Sequence, residues 1–263
     1  MESCKNCSSA ITANFCGNCG QRRYRRINRS YLAEEVQYSF IHMNKGFWHS
    51  VKKIFLNPGR SAREFIDGNR VNYYKPLTLA FLLSGIAAFL AFQIIGLTDS
   101  MIQVMSDSKP TSPFQKDLLI FTTKYNSLLW LLMIPFFALI SKLAFRKWGH
   151  NYYEHIVMNA FIASFYMIVC ITIIYPVLLF LKSDAPLLVS ISQISLLTFI
   201  PILIWFFISF YYERPVKSVF GKVLLVFLYN IIFCVILCIL MMLVVVVLTL
   251  IDPEAMGNYV LPR

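Results

Sequence analysis

Four cysteines near the start of the chain are the residues best placed to do chemistry. Cys4-Lys5-Asn6-Cys7 and Cys16-Gly17-Asn18-Cys19 form two C-x-x-C knuckles separated by eight residues. Each knuckle turns two thiolates to one side, and the intervening loop brings the pairs together, as a tetrahedral zinc ion requires. Four thiolates complete the shell, so the expected zinc is structural rather than catalytic. Its binding would supply folding free energy that so short a segment cannot draw from apolar burial. The competing reading is a pair of disulfides in an exported segment. The basic residues that follow, and the lack of an apolar leader before Leu77, favour zinc. A thioredoxin-type redox role would need a βαβ setting, which the surrounding residues do not suggest.

Other reactive side chains are sparse. His150 and His155 make an H-x4-H pair with Glu154 beside the second histidine. Membrane desaturases use such boxes in several copies, whereas this chain has four histidines in all. No G-x-S-x-G elbow, Walker A loop or dinucleotide fingerprint is present. Cys170, Cys234 and Cys238 fall in long apolar runs and read as packing residues. Gln93, Asn159, Gln193 and Asn230 are uncharged polar residues in the same runs, expected to face a bundle interior.

The elements that carry these residues belong to a membrane protein. Of 263 residues, 58% are hydrophobic and 14% charged, against about 25% charged in an ordinary soluble domain. The fold class is therefore an all-α integral membrane protein. Five stretches meet the requirement of about 20 apolar residues per span: 77–97, 127–145, 156–181, 188–211 and 223–251. Pro135, Pro176 and Pro201 lie inside spans and are expected to kink them. The first 21 residues form the zinc ribbon, 22–29 a basic linker, 30–76 an amphipathic juxtamembrane arm, 77–251 the bundle and 252–263 a short tail.

Charge sets the expected orientation. Nineteen of the 24 Lys and Arg residues lie on the side of the N-terminus. By the positive-inside rule that side is cytoplasmic, the C-terminus is outside, and the protein is a multi-pass inner-membrane protein. The net charge of +11 thus reflects topology, and nucleic acid is disfavoured as a partner. Arg22, Arg23, Arg25, Arg26 and Arg29 read either as a contact with anionic headgroups or as a solvated linker that enforces topology. In the arm, Leu32, Val36, Phe40, Met43 and Phe47 share one helical face. Beyond Gly46, Trp48 joins an apolar face opposite Lys52 and Lys53, a pattern suited to the membrane interface. Asn57-Pro58-Gly59 is a turn signal.

The combination of Cys4, Cys7, Cys16 and Cys19, the run Cys19-Gly20-Gln21, Asn57-Pro58-Gly59, and the stretch from Gly68-Asn69-Arg70 to Tyr74-Lys75-Pro76 resembles a bacterial family of membrane proteins, the domain-of-unknown-function family 3667. The resemblance covers about residues 4–82. Members carry Gly-Lys-Arg where this chain has Gly68-Asn69-Arg70, which keeps the arginine. It implies a zinc ribbon, a basic linker, a short arm and several spans, with no activity attached. The function expected is a non-enzymatic scaffold or regulator whose ribbon docks a cytoplasmic protein or a lipid surface. The alternatives are a small transporter, channel or lipid-handling protein, or an enzyme built on His150, Glu154 and His155.

Overall fold

The computed structural model describes residues 2–33, 46–108 and 112–251. Val36, Phe40 and Met43, expected on one helical face, lie outside these residues, as does the tail 252–263. At the N-terminus, β1 (Glu2–Ser3) pairs antiparallel with β2 (Ala10–Ile11), Glu2 facing Ile11 and Ser3 facing Ala10. A bridge between Phe15 and Arg22 closes the second knuckle. Cys4, Ile11 and Cys16 form a miniature core, separate from the main one.

Among the described residues of the arm, two short helices follow residue 46, α1 (Phe47–Leu56) and α2 (Pro58–Ile66). Asn57 explains the turn between them. Its side chain accepts from the Arg60 amide at 2.9 Å, and Pro58, which has no N–H to lose, occupies the first turn of α2. Gly59 then lets α2 close on the fourth span. A Cβ there would clash with the Ser209 hydroxyl and the Phe206 carbonyl oxygen, and would come within 2.7 Å of the Phe210 nitrogen.

Among the described residues, five helices are long and apolar enough to cross a membrane: Pro76–Ile94, Asn126–Ala144, Tyr152–Phe180, Ala185–Phe210 and Val216–Ile251. The first consists of α3 (Pro76–Ala88) and a π-helical segment, Phe89–Ile94. Before the second span the chain forms two helices that the apolar pattern did not announce, α4 (Leu97–Ser108) and α5 (Pro113–Lys124). Ser112 and Gln115 begin α5 with a capping box. A break at Tyr125 separates it from α6 (Asn126–Ala144), so the Leu118–Phe121 run does not extend the second span. Pro135 lies inside α6 without ending it.

The third span, α7 (Tyr152–Val169), a π-helical stretch (Cys170–Ile174) and α8 (Tyr175–Phe180), is the axis of the fold. Every residue from Glu154 to Ile168 is buried, as expected of a helix apolar on all sides and surrounded by others. It starts at Tyr152, earlier than the hydropathy pattern placed it, because Asn151 and Glu154 form a capping box. The fourth span joins α9 (Ala185–Ser195) through a 3₁₀ turn (Leu196–Thr198), just before Pro201, to α10 (Phe199–Phe210). The last, α11 (Val216–Ile251), buries Val219, Val223 and Val226 against its neighbours and leaves its far half exposed, an apolar surface suited to the hydrocarbon of a bilayer.

Two glycines give a paired test of this packing. Gly59→Ala should cost about 1–3 kcal/mol through overpacking against α10. Gly85→Ala, where a Cβ meets nothing nearer than the Ser127 hydroxyl at 4.0 Å, should stabilise α3 by about 0.5–1 kcal/mol. Thermal unfolding of the purified chain in detergent reads both, and equal shifts would contradict the close approach of α2 and α10.

Candidate metal centre and its clamp on the membrane body

Among the described residues, the Sγ atoms of Cys4, Cys7, Cys16 and Cys19 form one cluster able to hold a metal ion, all within 4.8 Å of one another. The Cys4–Cys19 and Cys7–Cys16 sulfurs are each 3.6 Å apart. Metal–thiolate bonds of about 2.3 Å at tetrahedral angles require sulfurs about 3.8 Å apart, so the donor set fits such an ion. The knuckles are built by backbone bonds. The Cys4 amide donates to Ser9 O and the Ser8 amide to Cys4 O, while the Gly20 amide donates to Cys16 O. Gly20 at φ +72° sits where a side chain would be strained. The Ser9 hydroxyl, 3.4 Å from the Cys7 sulfur, and the Ser9 backbone N–H bring the Cys7 thiol down to about 6.

Two residues after Cys19, Gln21 ties this centre to the arm. Its side-chain oxygen accepts from the backbone amides of Arg70 (3.1 Å) and Val71 (2.8 Å), and Gln21 itself is buried. Arg70 is held in turn. Its guanidinium donates to Phe65 O (2.9 Å) and Ile66 O (3.2 Å) at the end of α2, and lies over the rings of Tyr24, Tyr31 and Phe65. Asn72 donates to the Asn6 side chain inside the first knuckle. Gly68, at φ +114°, lies so close to Tyr24 and Lys5 that a Cβ would collide with the tyrosine ring. The Cys19-Gly20-Gln21 and Gly68-Asn69-Arg70 runs, some 50 residues apart, are thus two halves of one contact.

A second tie reaches the bundle. Arg26 donates through Nε and Nη2 to the Glu154 carboxylate at 2.8 and 3.1 Å, and through Nη2 to Gly149 O at 2.6 Å. The Glu154 side chain is 4% exposed and also accepts from the Asn151 amide at 2.7 Å. Asn151 donates to Ile27 O at 2.9 Å, and Ile27 is fully buried. Hydrogen bonding to Glu154 raises the Arg26 pKa still further, keeping the guanidinium charged. Of the linker arginines, Arg26 is therefore built into the fold. Arg22, Arg23, Arg25 and Arg29 are exposed, Arg23 pairing with Glu2 at 2.6 Å. Trp48 is 78% exposed, and Lys52 and Lys53 are exposed with it on the outward side of α1, so it does not join the apolar face opposite the lysines that the sequence pattern suggested; Ser50 and Ile54 are the residues α1 buries.

The three residues of the enzyme alternative each have their own partners. Glu154 is held by Arg26. His155 Nδ1 meets the Ser141 hydroxyl at 3.0 Å, and Asn159 donates to the same hydroxyl at 2.9 Å. His150 Nδ1 meets the Tyr211 hydroxyl at 3.3 Å, and its pKa is lowered by burial, which keeps the ring neutral near pH 7. The two imidazoles are 6.4 Å apart, edge to face. Ser141, Asn159 and Tyr211 thus join the histidines in a polar and aromatic knot at the ribbon end of the bundle, with Lys142 donating to His150 O. Of these three, Asn159 alone carried a sequence expectation. The Asn-x-x-Glu spacing of 151 and 154 was the readable signal for this end of the third span.

The family model described as "Protein of unknown function (DUF3667)" matches residues 44–88. The match is confined to this segment, which is similar to the family's model. The matched segment holds α1, α2, Arg70 and most of the first span, so the part of this chain that is similar to the family is the arm onto which the N-terminal residues close. No curated protein and no solved structure matches the chain.

Two outcomes test the site. Gln21→Ala leaves the Arg70 and Val71 amides without their acceptor, at a cost of about 1–3 kcal/mol. Limited proteolysis should then cut the 20–30 linker severalfold faster, and unchanged cutting would contradict the clamp. In metal-free protein near pH 7, Ser9→Ala should slow iodoacetamide alkylation of Cys7 severalfold by raising its pKa; an unaltered rate would show that Ser9 does not tune the thiol.

Proposed function

We propose that this chain is a multi-pass membrane scaffold or regulator whose zinc-loaded ribbon is held at the cytoplasmic surface of a bacterial inner membrane. One observation carries the reading: Gln21, two residues after Cys19 of the thiol cluster, is hydrogen-bonded into the arm that matches the DUF3667 model. A metal that closes both knuckles holds Gln21 in register, so the ribbon becomes a fixed platform over the bundle. Zinc fits the all-thiolate tetrahedral donor set, and four protein ligands leave no position for a substrate. The exposed linker arginines and the Trp48, Lys52 and Lys53 face then offer a surface to anionic headgroups or to a cytoplasmic protein. The charge asymmetry supports placing this face inside.

The test uses the full chain in its membrane. Metal analysis should find one zinc per chain, absent in Cys16→Ser. A membrane-impermeant maleimide should reach the ribbon cysteines of the metal-depleted protein only after the cytoplasmic side is opened. Cys4→Ser should insert normally yet change the set of proteins captured by in-cell crosslinking. Labelling from outside would refute the orientation, and an unchanged crosslinking profile would refute the scaffold role.

A further inference from the structure

The end of the bundle away from the ribbon contains a cavity of about 290 Å³. It lies between the far parts of the first and third spans, the start of the second and the middle of the fourth. Helices α4 and α5 lie across it, contributing Leu97, Met101 and Leu119 to its wall. The size is at the lower end of the roughly 300–1,000 Å³ usual for ligand sites. Aromatic rings frame it, with Trp130 and Tyr166 at 5.7 Å and Tyr166 and Phe199 at 5.5 Å. Among its described lining residues, Thr122, Asn126, Ser192 and Gln193 supply hydroxyl and amide groups, and none of those described is a carboxylate, Lys, Arg or His.

Two further features set the place apart. Both π-helical segments border it, Phe89–Ile94 through Ala91 and Phe92, and Cys170–Ile174 through Cys170. A π turn adds a residue to the helix and disturbs its hydrogen-bond ladder, and such turns concentrate at functional sites. The position within the spans also selects the ligand. A cavity lined mainly by residues of the spans suits a molecule drawn from the bilayer, and a charged headgroup would find no counter-charge among the described lining residues. Neutral hydroxyl and ester groups would find the donors and acceptors of Asn126 and Gln193, while the apolar wall takes the first methylenes of a chain.

We infer that this cavity binds a neutral membrane lipid, an uncharged diacyl molecule whose hydroxyl-bearing end is held inside while its chains continue into the bilayer. This site is independent of the ribbon and of the scaffold reading.

The test is photo-crosslinking of the full-length chain in nanodiscs with a diazirine-bearing diacylglycerol, and in parallel with a diazirine-bearing phosphatidylglycerol. The expected result is saturable labelling by the diacylglycerol on peptides containing Trp130, Met167 or Gln193, competed by unlabelled diacylglycerol. Labelling of the outward-facing Leu132 and Leu139 should stay unsaturable. Ala91→Phe, or Ser192→Leu as an independent filling variant, should lower the saturable component about tenfold while leaving the outward labelling as a check that the bundle is intact. Labelling spread evenly without saturation, or preferential saturable labelling by phosphatidylglycerol, would overturn the proposal. The map on the unaltered chain decides the matter even if a filling variant does not fold.

Discussion

One carboxylate joins the parts of this protein. Glu154 closes the capping box that begins the third span, and the same group receives two hydrogen bonds from Arg26 of the basic linker. It is nearly sealed from solvent, so removing Arg26 would leave a buried charge supported by the Asn151 amide and little else in the described contacts. The third span is in turn the helix around which the others pack. Through Glu154, the linker that follows the metal centre is therefore fixed to the most buried element of the bundle.

The ribbon gains from this as much as the bundle does. A two-stranded sheet with a core of Cys4, Ile11 and Cys16 is too small to persist on apolar burial. The four thiols offer it a metal, and Gln21, Arg26 and Asn72 offer it a foundation. Arg70 shows why the arm keeps an arginine at that point. A planar guanidinium can donate to two helix-end carbonyls while lying over three aromatic rings, which a lysine cannot do.

Much of this architecture can be read in the residues, because local chemistry dictates it. The C-x-x-C spacing announces the thiol cluster, and the apolar runs announce five spans. Asn57-Pro58-Gly59 announces a turn, although its glycine serves the approach to α10 as well. What escaped the sequence depends on distance along the chain or on broken patterns. Nothing local says that Arg26 will meet a carboxylate 128 residues away, or that Gln21 will cap amides 49 and 50 residues on. Helices α4 and α5 escaped because charged and polar residues interrupt their apolar faces. The π-helical segments escaped because they follow from packing, with no composition of their own.

The central claim is that a metal-closed ribbon is locked onto the membrane body, and hydrogen exchange with and without a zinc chelator tests it most directly. In the full-length protein in nanodiscs, chelation should raise exchange in the ribbon and also at the Arg70 and Val71 amides, with a smaller rise at Asn151. Exchange that increases in residues 2–21 and leaves Arg70 and Val71 protected would contradict it.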